Sequence, residues 1–162
     1  MGAGKTVVSN ELAIRTKRRC VSTDELIEKK EGRLISEIFR DSGEEYFRRM
    51  EQEVIRDLAS QEDLIIDCGG GVVLQQENIN NLKKNGVLFY LAASPGVIYE
   101  RIKNAAHRPL LNVQDPRFAI QEMLEKRVSL YQQADCTLDT DGKSAAETAD
   151  EILRFLQRLE KS

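Results

Sequence analysis

The sequence predicts an α/β fold built on a parallel sheet. Short strand-like runs alternate with longer segments in helical spacing, which is typical of this class. The runs Leu64–Asp67 and Val87–Leu91 are almost continuously apolar, as expected for strands covered on both faces. A glycine-rich stretch followed by a helical segment opens the chain. Together these features favour helices packed against a parallel sheet.

The remaining elements follow from periodicity and from start and stop signals. Asn85-Gly86 is a helix stop placed directly before a strand. Two weaker strands are predicted at Cys20–Ser22 and Cys136–Leu138. Helices are predicted over Val7–Arg18, Asp24–Lys30, Leu34–Arg40, Gly43–Ser60, Glu77–Asn85, Pro95–Lys103, Phe118–Ala134 and Ala145–Glu160. No repeat or linker interrupts this pattern, so we expect a single domain over residues 1–162.

Composition limits the classes of function. A chain of 162 residues with 41% hydrophobic residues can bury a core as one soluble domain. No apolar run approaches the roughly 20 residues that span a membrane. With 24 basic and 27 acidic residues the net charge is −3, which disfavours nucleic-acid binding. We expect a cytoplasmic monomer that binds neither nucleic acid nor a membrane.

The cysteines do not predict a metal site. Cys20, Cys68 and Cys136 are far apart, and the chain has a single histidine. This pattern lacks the spacing of zinc ligands and is typical of a reducing compartment.

The opening residues MGAGKT fit the end of the phosphate-binding pattern G-x-x-x-x-G-K-[ST] at Gly4, Lys5 and Thr6. In such a loop the backbone N–H groups bind phosphate, the lysine reaches the β- and γ-phosphates, and the hydroxyl ligates Mg²⁺. The positive end of the following helix would also face the anion. A short match has an alternative interpretation, an ordinary glycine-rich turn before a helix.

The first glycine of that pattern would lie before Met1. A phosphate-binding loop also normally follows a strand, and the sequence as given has no residues to form it. We therefore expect a sheet without this central strand, whose neighbours have unpaired backbone groups.

Further motifs follow the loop in a fixed order. They are TDELIE (Thr23–Glu28), GEEYFRRME (Gly43–Glu51), CGGG (Cys68–Gly71), RPLL (Arg108–Leu111) and RVSLY (Arg127–Tyr131). In order and spacing the chain resembles the shikimate kinases from Met1 to about Gly142. The resemblance implies a P-loop fold of the nucleoside-monophosphate-kinase type, with a five-stranded parallel sheet in the family. It also implies a substrate-binding segment at about 24–51, a lid at about 103–116, and ATP-dependent phosphorylation of shikimate at its 3-hydroxyl.

The resemblance assigns residues to shikimate. Asp24 would contact the attacking hydroxyl and accept its proton; alternatively it is only a helix-terminal carboxylate. Arg48 and Arg127 would bind the shikimate carboxylate through planar guanidinium groups. The motif of Arg127 has Ser129 where the family usually has proline. Gly70 and Gly71 would offer backbone N–H groups at the end of a strand.

The resemblance also assigns residues to ATP. Arg101 would pack against adenine, and Arg108 would neutralise charge on the transferring phosphoryl group from the lid. His107 receives no role. The stretch Asp139–Ser144 would cup the base from the other side. The phosphate loop itself would comprise Gly2, Ala3, Gly4, Lys5, Thr6 and Val7, with Lys5, Asp24 and Arg108 as the catalytic residues.

One departure concerns the metal. The family usually has D-T-D where this chain has Ser22-Thr23-Asp24, and the missing aspartate would help hold the water shell of Mg²⁺. Asp67 ends an apolar strand, which is the Walker B arrangement of many P-loop enzymes. We hypothesise that Ser22 and Asp67 exchange these roles, with Thr6 and Asp67 serving Mg²⁺. Alternatively, Asp67 is only a strand-end residue.

Two other functions fit the sequence less well. One is a related kinase such as a gluconate kinase, although the paired arginines, GGG and RPLL favour shikimate. The other is a non-catalytic relative or an inactive fragment. Met1 coincides with a methionine that family members often carry inside the loop, which suggests a start assigned at an internal methionine or a truncation.

Overall fold

The computed structural model describes residues 2–103 and 113–161. Its strands are β1 (Arg19–Ser22), β2 (Leu64–Asp67), β3 (Phe89–Ala92) and β4 (Cys136–Asp139). Its helices are α1 (Lys5–Thr16), α2 (Thr23–Glu31), α3 (Ile35–Ala59), α4 (Gln76–Asn85), α5 (Pro95–Ile102), α6 (Pro116–Tyr131) and α7 (Ala145–Leu159), with a 3₁₀ turn at Val72–Leu74. Every element predicted from the sequence is present, with ends shifted by up to three residues.

The strands form two separate parallel pairs rather than one continuous sheet. In the first pair β1 lies beside β2, with Ser22 opposite Asp67. In the second pair β3 lies beside β4, with Ala92 opposite Asp139. No strand precedes α1 in residues 2–4, and each described strand has a ladder partner on one side only. The parallel direction of both pairs is as predicted.

Helix α3 contains the break that the sequence predicts between two helices. Gly43 has φ 81° and ψ 171° inside the assigned span, so two helical segments meet there at an angle. A left-handed φ is strained for residues with a Cβ atom, which is why glycine suits this position.

Side-chain caps fix several helix starts. Ser22 accepts a hydrogen bond from the backbone of Glu25 at the start of α2. Ser94, followed by Pro95, caps α5 in the same way. At α7 Ser144 and Glu147 form a reciprocal capping box. These residues make the helix boundaries readable from the sequence.

The contacts divide the chain into two compact units. The first comprises residues up to Val8 and the chain from Phe89 onward, and the second is Ser9–Leu88. The first unit has a buried cluster of Ile98, Ile102 and Ile120. The core cluster of the second unit consists of Ile27, Ile38, Phe47, Val54 and Leu58. Within the described residues, no helix has the length and apolar character needed to cross a bilayer.

Candidate active site

The residues predicted to bind phosphate form a tight loop before α1. Gly2 and Gly4 have φ angles of 68° and 85°, which is the left-handed region that favours glycine. The carbonyl of Gly4 accepts a hydrogen bond from the backbone N–H of Val8 at 3.1 Å, so the loop leads directly into the helix. A Cβ atom on Gly2 would lie 3.0 Å from the Cγ2 atoms of Ile98 and Ile102. The loop therefore packs closely on α5, as only glycine permits.

Two side chains bind the carbonyl groups of this loop. Arg101 donates from Nη1 to the Gly2 carbonyl at 3.3 Å and to Thr140 Oγ1 at 3.2 Å. Its Nη2 donates to the Thr140 carbonyl at 3.0 Å. The Thr140 hydroxyl also lies 3.3 Å from the Ala3 carbonyl. We call Gly2, Ala3, Gly4, Arg101 and Thr140 the phosphate-loop cluster.

The other ATP-binding residues predicted from the sequence lie on the first turn of α1. Lys5, Thr6 and Val7 occupy this turn, and Val7 is 59% exposed.

Arg101 uses in-plane N–H groups for its hydrogen bonds, which leaves the faces of the guanidinium suited to stacking on a base. The contact of Arg101 with adenine stays a prediction. Its contact with the phosphate loop was not predicted from the sequence.

The second group of predicted site residues surrounds the glycine turn after β2. A Cβ atom on Gly69 would lie 2.5 Å from Oδ1 of Asp24. A Cβ atom on Gly71 would lie 2.6 Å from Nη1 and 2.7 Å from Nη2 of Arg48. The turn thus places one carboxylate and one guanidinium against neighbouring stretches of bare backbone. Both side chains are half-buried.

Arg48 is held by carboxylates on its own helix. Nη1 donates to Oε2 of Glu51 at 2.7 Å, while Nε and Nη2 donate to Oε1 of Glu44 at 3.2 and 3.1 Å. Glu51 is only 1% exposed. Burial raises the pKa of the Glu51 carboxyl, and the hydrogen bond and charge of Arg48 partly oppose that shift. The pair fixes the direction of the guanidinium.

Buried polar side chains also fix the turn itself. The Gly69 N–H donates to Thr23 Oγ1 at 3.0 Å, and this hydroxyl is 3.4 Å from the Asp67 carbonyl. The Asn78 side-chain amide donates to the Val72 carbonyl at 3.1 Å. Thr23 and Asn78 are fully buried. We call Thr23, Asp24, Arg48, Glu51 and Gly69–Gly71 the glycine-turn cluster.

The strand ends beside this turn contain the residues of the metal hypothesis. Ser22 and Asp67 are directly opposite each other in the β1–β2 pair, and Asp67 is 8% exposed. Burial first, and then the charge of Asp67, raises the pKa of the Cys20 thiol. In the part of the chain that the structure describes, no group of three or more histidine, cysteine or acidic residues could hold a metal. A Mg²⁺ that keeps its waters and binds substrate phosphates needs only one or two carboxylates.

The RPLL motif with Arg108, and His107 beside it, lie outside the described residues. Arg127 is half-buried on α6, which belongs to the first unit, whereas Arg48 belongs to the second. Their shared substrate contact stays a prediction, as does the backbone contact of Gly70.

The sequence did not reveal several residues that build the site. Glu51 had a usable signal, because a residue three positions after Arg48 shares its helix face. Gly69 lies in the CGGG motif, yet only the structure shows that its missing side chain makes room for Asp24. Asn78 gave no signal, since its partner is the backbone carbonyl of Val72. Thr140 lies in the stretch Asp139–Ser144 that the sequence assigned to the base, but its contacts with Ala3 and Arg101 were not predicted.

Comparisons with known proteins agree on one family. The shikimate kinase family model matches residues 1–157. A shikimate kinase of Thermodesulfovibrio yellowstonii is 45% identical over 98% of this chain and 92% of its own length. One of Caldanaerobacter subterraneus subsp. tengcongensis is 42% identical over 98% of this chain and 93% of its own length.

Solved structures agree with the sequence comparisons. A shikimate kinase from Acinetobacter baumannii in complex with shikimate has a TM-score of 0.93 at 34% identity, over 100% of this chain and 91% of that chain. A shikimate kinase from Aquifex aeolicus has a TM-score of 0.83 at 31% identity, over 100% and 94% of the respective chains. The fold is therefore the α/β P-loop kinase fold predicted from the sequence. The chain belongs to the shikimate kinase family.

Proposed function

We propose that this chain transfers the γ-phosphoryl group of ATP to the 3-hydroxyl of shikimate, giving shikimate 3-phosphate and ADP. The family model and the relatives reported above are all shikimate kinases, which favours shikimate over gluconate as the acceptor. We also expect the enzyme to act as a cytoplasmic monomer.

One observation supports the acceptor most strongly. The glycine turn places the Asp24 carboxylate beside Gly69 and the Arg48 guanidinium beside Gly71. Shikimate carries a carboxylate and a hydroxyl two ring carbons apart, so it needs a cation and a proton acceptor a short distance apart. The guanidinium binds the carboxylate, and the Asp24 carboxylate orients the hydroxyl. Gly70 and Gly71 offer backbone N–H groups between them, and Arg127 is proposed as a second cation for the substrate carboxylate.

The reaction then requires one proton to leave the acceptor. The 3-hydroxyl oxygen forms a bond to the γ-phosphorus as the bond from phosphorus to the bridging oxygen of ADP breaks. Asp24 accepts the hydroxyl proton and later releases it to water. Most of the acceleration comes from positioning and from stabilisation of charge, as in other phosphoryl transfers.

The phosphate loop supplies the nucleotide side. Backbone N–H groups of Gly2, Ala3 and Gly4, together with those of Lys5, Thr6 and Val7, bind phosphate oxygens, and the Lys5 ammonium reaches the β- and γ-phosphates. Arg101 stacks on adenine. Arg108 neutralises charge on the transferring phosphoryl group as part of a lid at about residues 103–116.

The oxygen donors of the chain fit Mg²⁺, which favours hydroxyl, carboxylate and phosphate oxygens. Thr6 would ligate the ion from the first turn of α1, and Asp67 would hold part of its water shell in place of Ser22. When bound, the ion neutralises charge on the phosphates. The Ser22 hydroxyl accepts a hydrogen bond from the backbone N–H of Glu25. Asp67 lies opposite Ser22 in the β1–β2 pair and is the acidic member of that pair.

The proposed reaction is tested by ADP release from this chain with Mg-ATP, with and without shikimate. We expect shikimate-dependent turnover at roughly 1–100 per second. Gluconate serves as the competing acceptor. Faster turnover with gluconate, or no dependence on an acceptor, would contradict the proposal, and absence of all turnover would favour the inactive alternative.

A modified acceptor tests the role of Arg48. Methyl shikimate lacks the carboxylate charge, so it should have a higher KM than shikimate with the unmodified chain. Arg48→Met should raise the KM for shikimate and remove most of the difference between the two acceptors. An unchanged difference would show that another group recognises the carboxylate.

The metal assignment has its own test. Asp67→Asn should raise the Mg²⁺ concentration required for half-maximal turnover, because Asn lacks the charge. The double exchange Ser22→Asp with Asp67→Ser should restore a low requirement. Unchanged Mg²⁺ dependence in Asp67→Asn would refute the exchange of roles.

A further inference from the structure

Thr140 is a buried polar residue that no part of the proposed reaction uses. It directly follows β4 and is 2% exposed. Its backbone N–H donates to the Ala92 carbonyl at 2.9 Å, which fixes its position at the end of the β3–β4 pair. Its side chain therefore has a defined place from which to contact the phosphate loop.

The hydroxyl of Thr140 has partners on several sides. It accepts a hydrogen bond from Arg101 Nη1 at 3.2 Å. Its own proton lies within reach of the Ala92 carbonyl at 2.9 Å and the Ala3 carbonyl at 3.3 Å. Arg101 Nη1 is in turn 3.3 Å from the Gly2 carbonyl. The carbonyls of two consecutive loop residues thus contact one connected pair of side chains.

This arrangement bears on phosphate binding through the geometry of the peptide unit. The C=O and N–H of one peptide are fixed in a common plane and point in opposite directions. Holding a carbonyl on one side of the loop therefore directs the N–H of the same peptide toward the other side. A phosphate-binding loop depends on such directed N–H groups.

We propose that Thr140, together with Arg101, is a positioning residue that holds the phosphate loop in its binding conformation before the nucleotide arrives. The proposal rests on the proposed function, since it assumes that the loop binds the β-phosphate. It gives Arg101 a second task that does not depend on contact with adenine. The pair lowers the ordering cost of phosphate binding, as preorganised sites do in general.

A comparison of ADP with AMP isolates this effect. Both ligands carry adenine, ribose and an α-phosphate, whereas only ADP has the β-phosphate that the loop would bind. The ratio of their dissociation constants therefore cancels any change in the base contact. A variant that merely loosens the fold would weaken both ligands alike.

The test measures binding of ADP and AMP, by titration calorimetry, to the full chain and to Thr140→Val and Thr140→Ser. Valine keeps the shape of threonine but removes the hydroxyl, while serine keeps the hydroxyl. We expect Thr140→Val to weaken ADP binding roughly tenfold, which corresponds to loss of about one net hydrogen bond. AMP binding should change less than about threefold, and Thr140→Ser should retain most of the original ratio of AMP to ADP dissociation constants.

Arg101→Met provides a second variant in case Thr140→Val does not fold. It should weaken both nucleotides through the lost base contact and lower the preference for ADP as well. An unchanged preference in both variants would overturn the positioning role and leave the proposed function intact. Failure of the unmodified chain to prefer ADP over AMP would overturn the positioning role together with phosphate binding by the loop.

Discussion

The phosphate-loop cluster and the glycine-turn cluster hold their binding groups in position in opposite ways. In the first, side chains donate hydrogen bonds to backbone carbonyls and so fix the path of the loop. In the second, the absence of side chains at Gly69 and Gly71 lets Asp24 and Arg48 approach the backbone. Ligand binding at the phosphate-loop cluster should therefore be weakened by the loss of a polar group. Binding and turnover at the glycine-turn cluster should be impaired by the gain of a single methyl group.

The largest effect is expected for substitution of Lys5, whose ammonium group would contact the β- and γ-phosphates of ATP. Lys5→Met should lower kcat by at least about a hundredfold, because it removes a cation from developing charge. Steady-state ADP release measures this. Lys84→Met, at the exposed end of α4, is the matched control. Equal losses in both variants would contradict a specific role for Lys5.

Gly69→Ala should mainly affect turnover. The added Cβ would approach within 2.5 Å of Asp24 Oδ1, and a side-chain carboxylate can move away without unfolding the chain. A displacement of about 1 Å can cost roughly a hundredfold in rate, so we expect kcat to fall by about ten- to a hundredfold. Gly96→Ala is the control, because a Cβ there meets nothing within 4 Å. A large fall in the melting temperature without a kinetic change would contradict this expectation.

Gly71→Ala should mainly affect shikimate binding, because its Cβ would displace the Arg48 guanidinium. Its backbone φ of −92° is accessible to alanine, so the fold should tolerate the change. Loss of one charged hydrogen-bonded contact predicts roughly a ten- to hundredfold weaker affinity for shikimate. Titration with shikimate checks this, again with Gly96→Ala as the control. Undiminished affinity would show that Arg48 does not contact the substrate from this position.

The smallest expected effect is the pH dependence contributed by Glu51. Burial raises the pKa of its carboxyl above the ordinary value of 4.5. Between these two pKa values the folded chain binds more protons than the unfolded chain. The contribution of Glu51 to the free energy of unfolding therefore falls as the pH rises through that window.

Glu51→Gln removes this titration while keeping a polar group near Arg48. Thermal unfolding of both chains at about pH 4 and about pH 7 measures the difference. The melting temperature of the original chain should fall relative to that of Glu51→Gln as the pH rises. The opposite trend would show that Arg48 more than offsets the cost of burying this carboxylate.

The fold could be predicted from the sequence more completely than the site, and the reasons are physical. Strands such as Leu64–Asp67 and capped helix starts such as Ser144 depend on local pattern, so the sequence predicts their positions closely. The sequence motifs likewise predict Asp24 and Arg48 as site residues. By contrast, the contacts of Thr23 with Gly69 and of Thr140 with Ala3 join segments distant in the chain, and no local pattern indicates them.

The most direct test of the difference between the two clusters is full two-substrate kinetics on Thr140→Val and Gly71→Ala. Thr140→Val should raise the KM for ATP and leave the KM for shikimate nearly unchanged. Gly71→Ala should do the reverse. Equal increases of both KM values in each variant would contradict the separate roles assigned to the phosphate-loop cluster and the glycine-turn cluster.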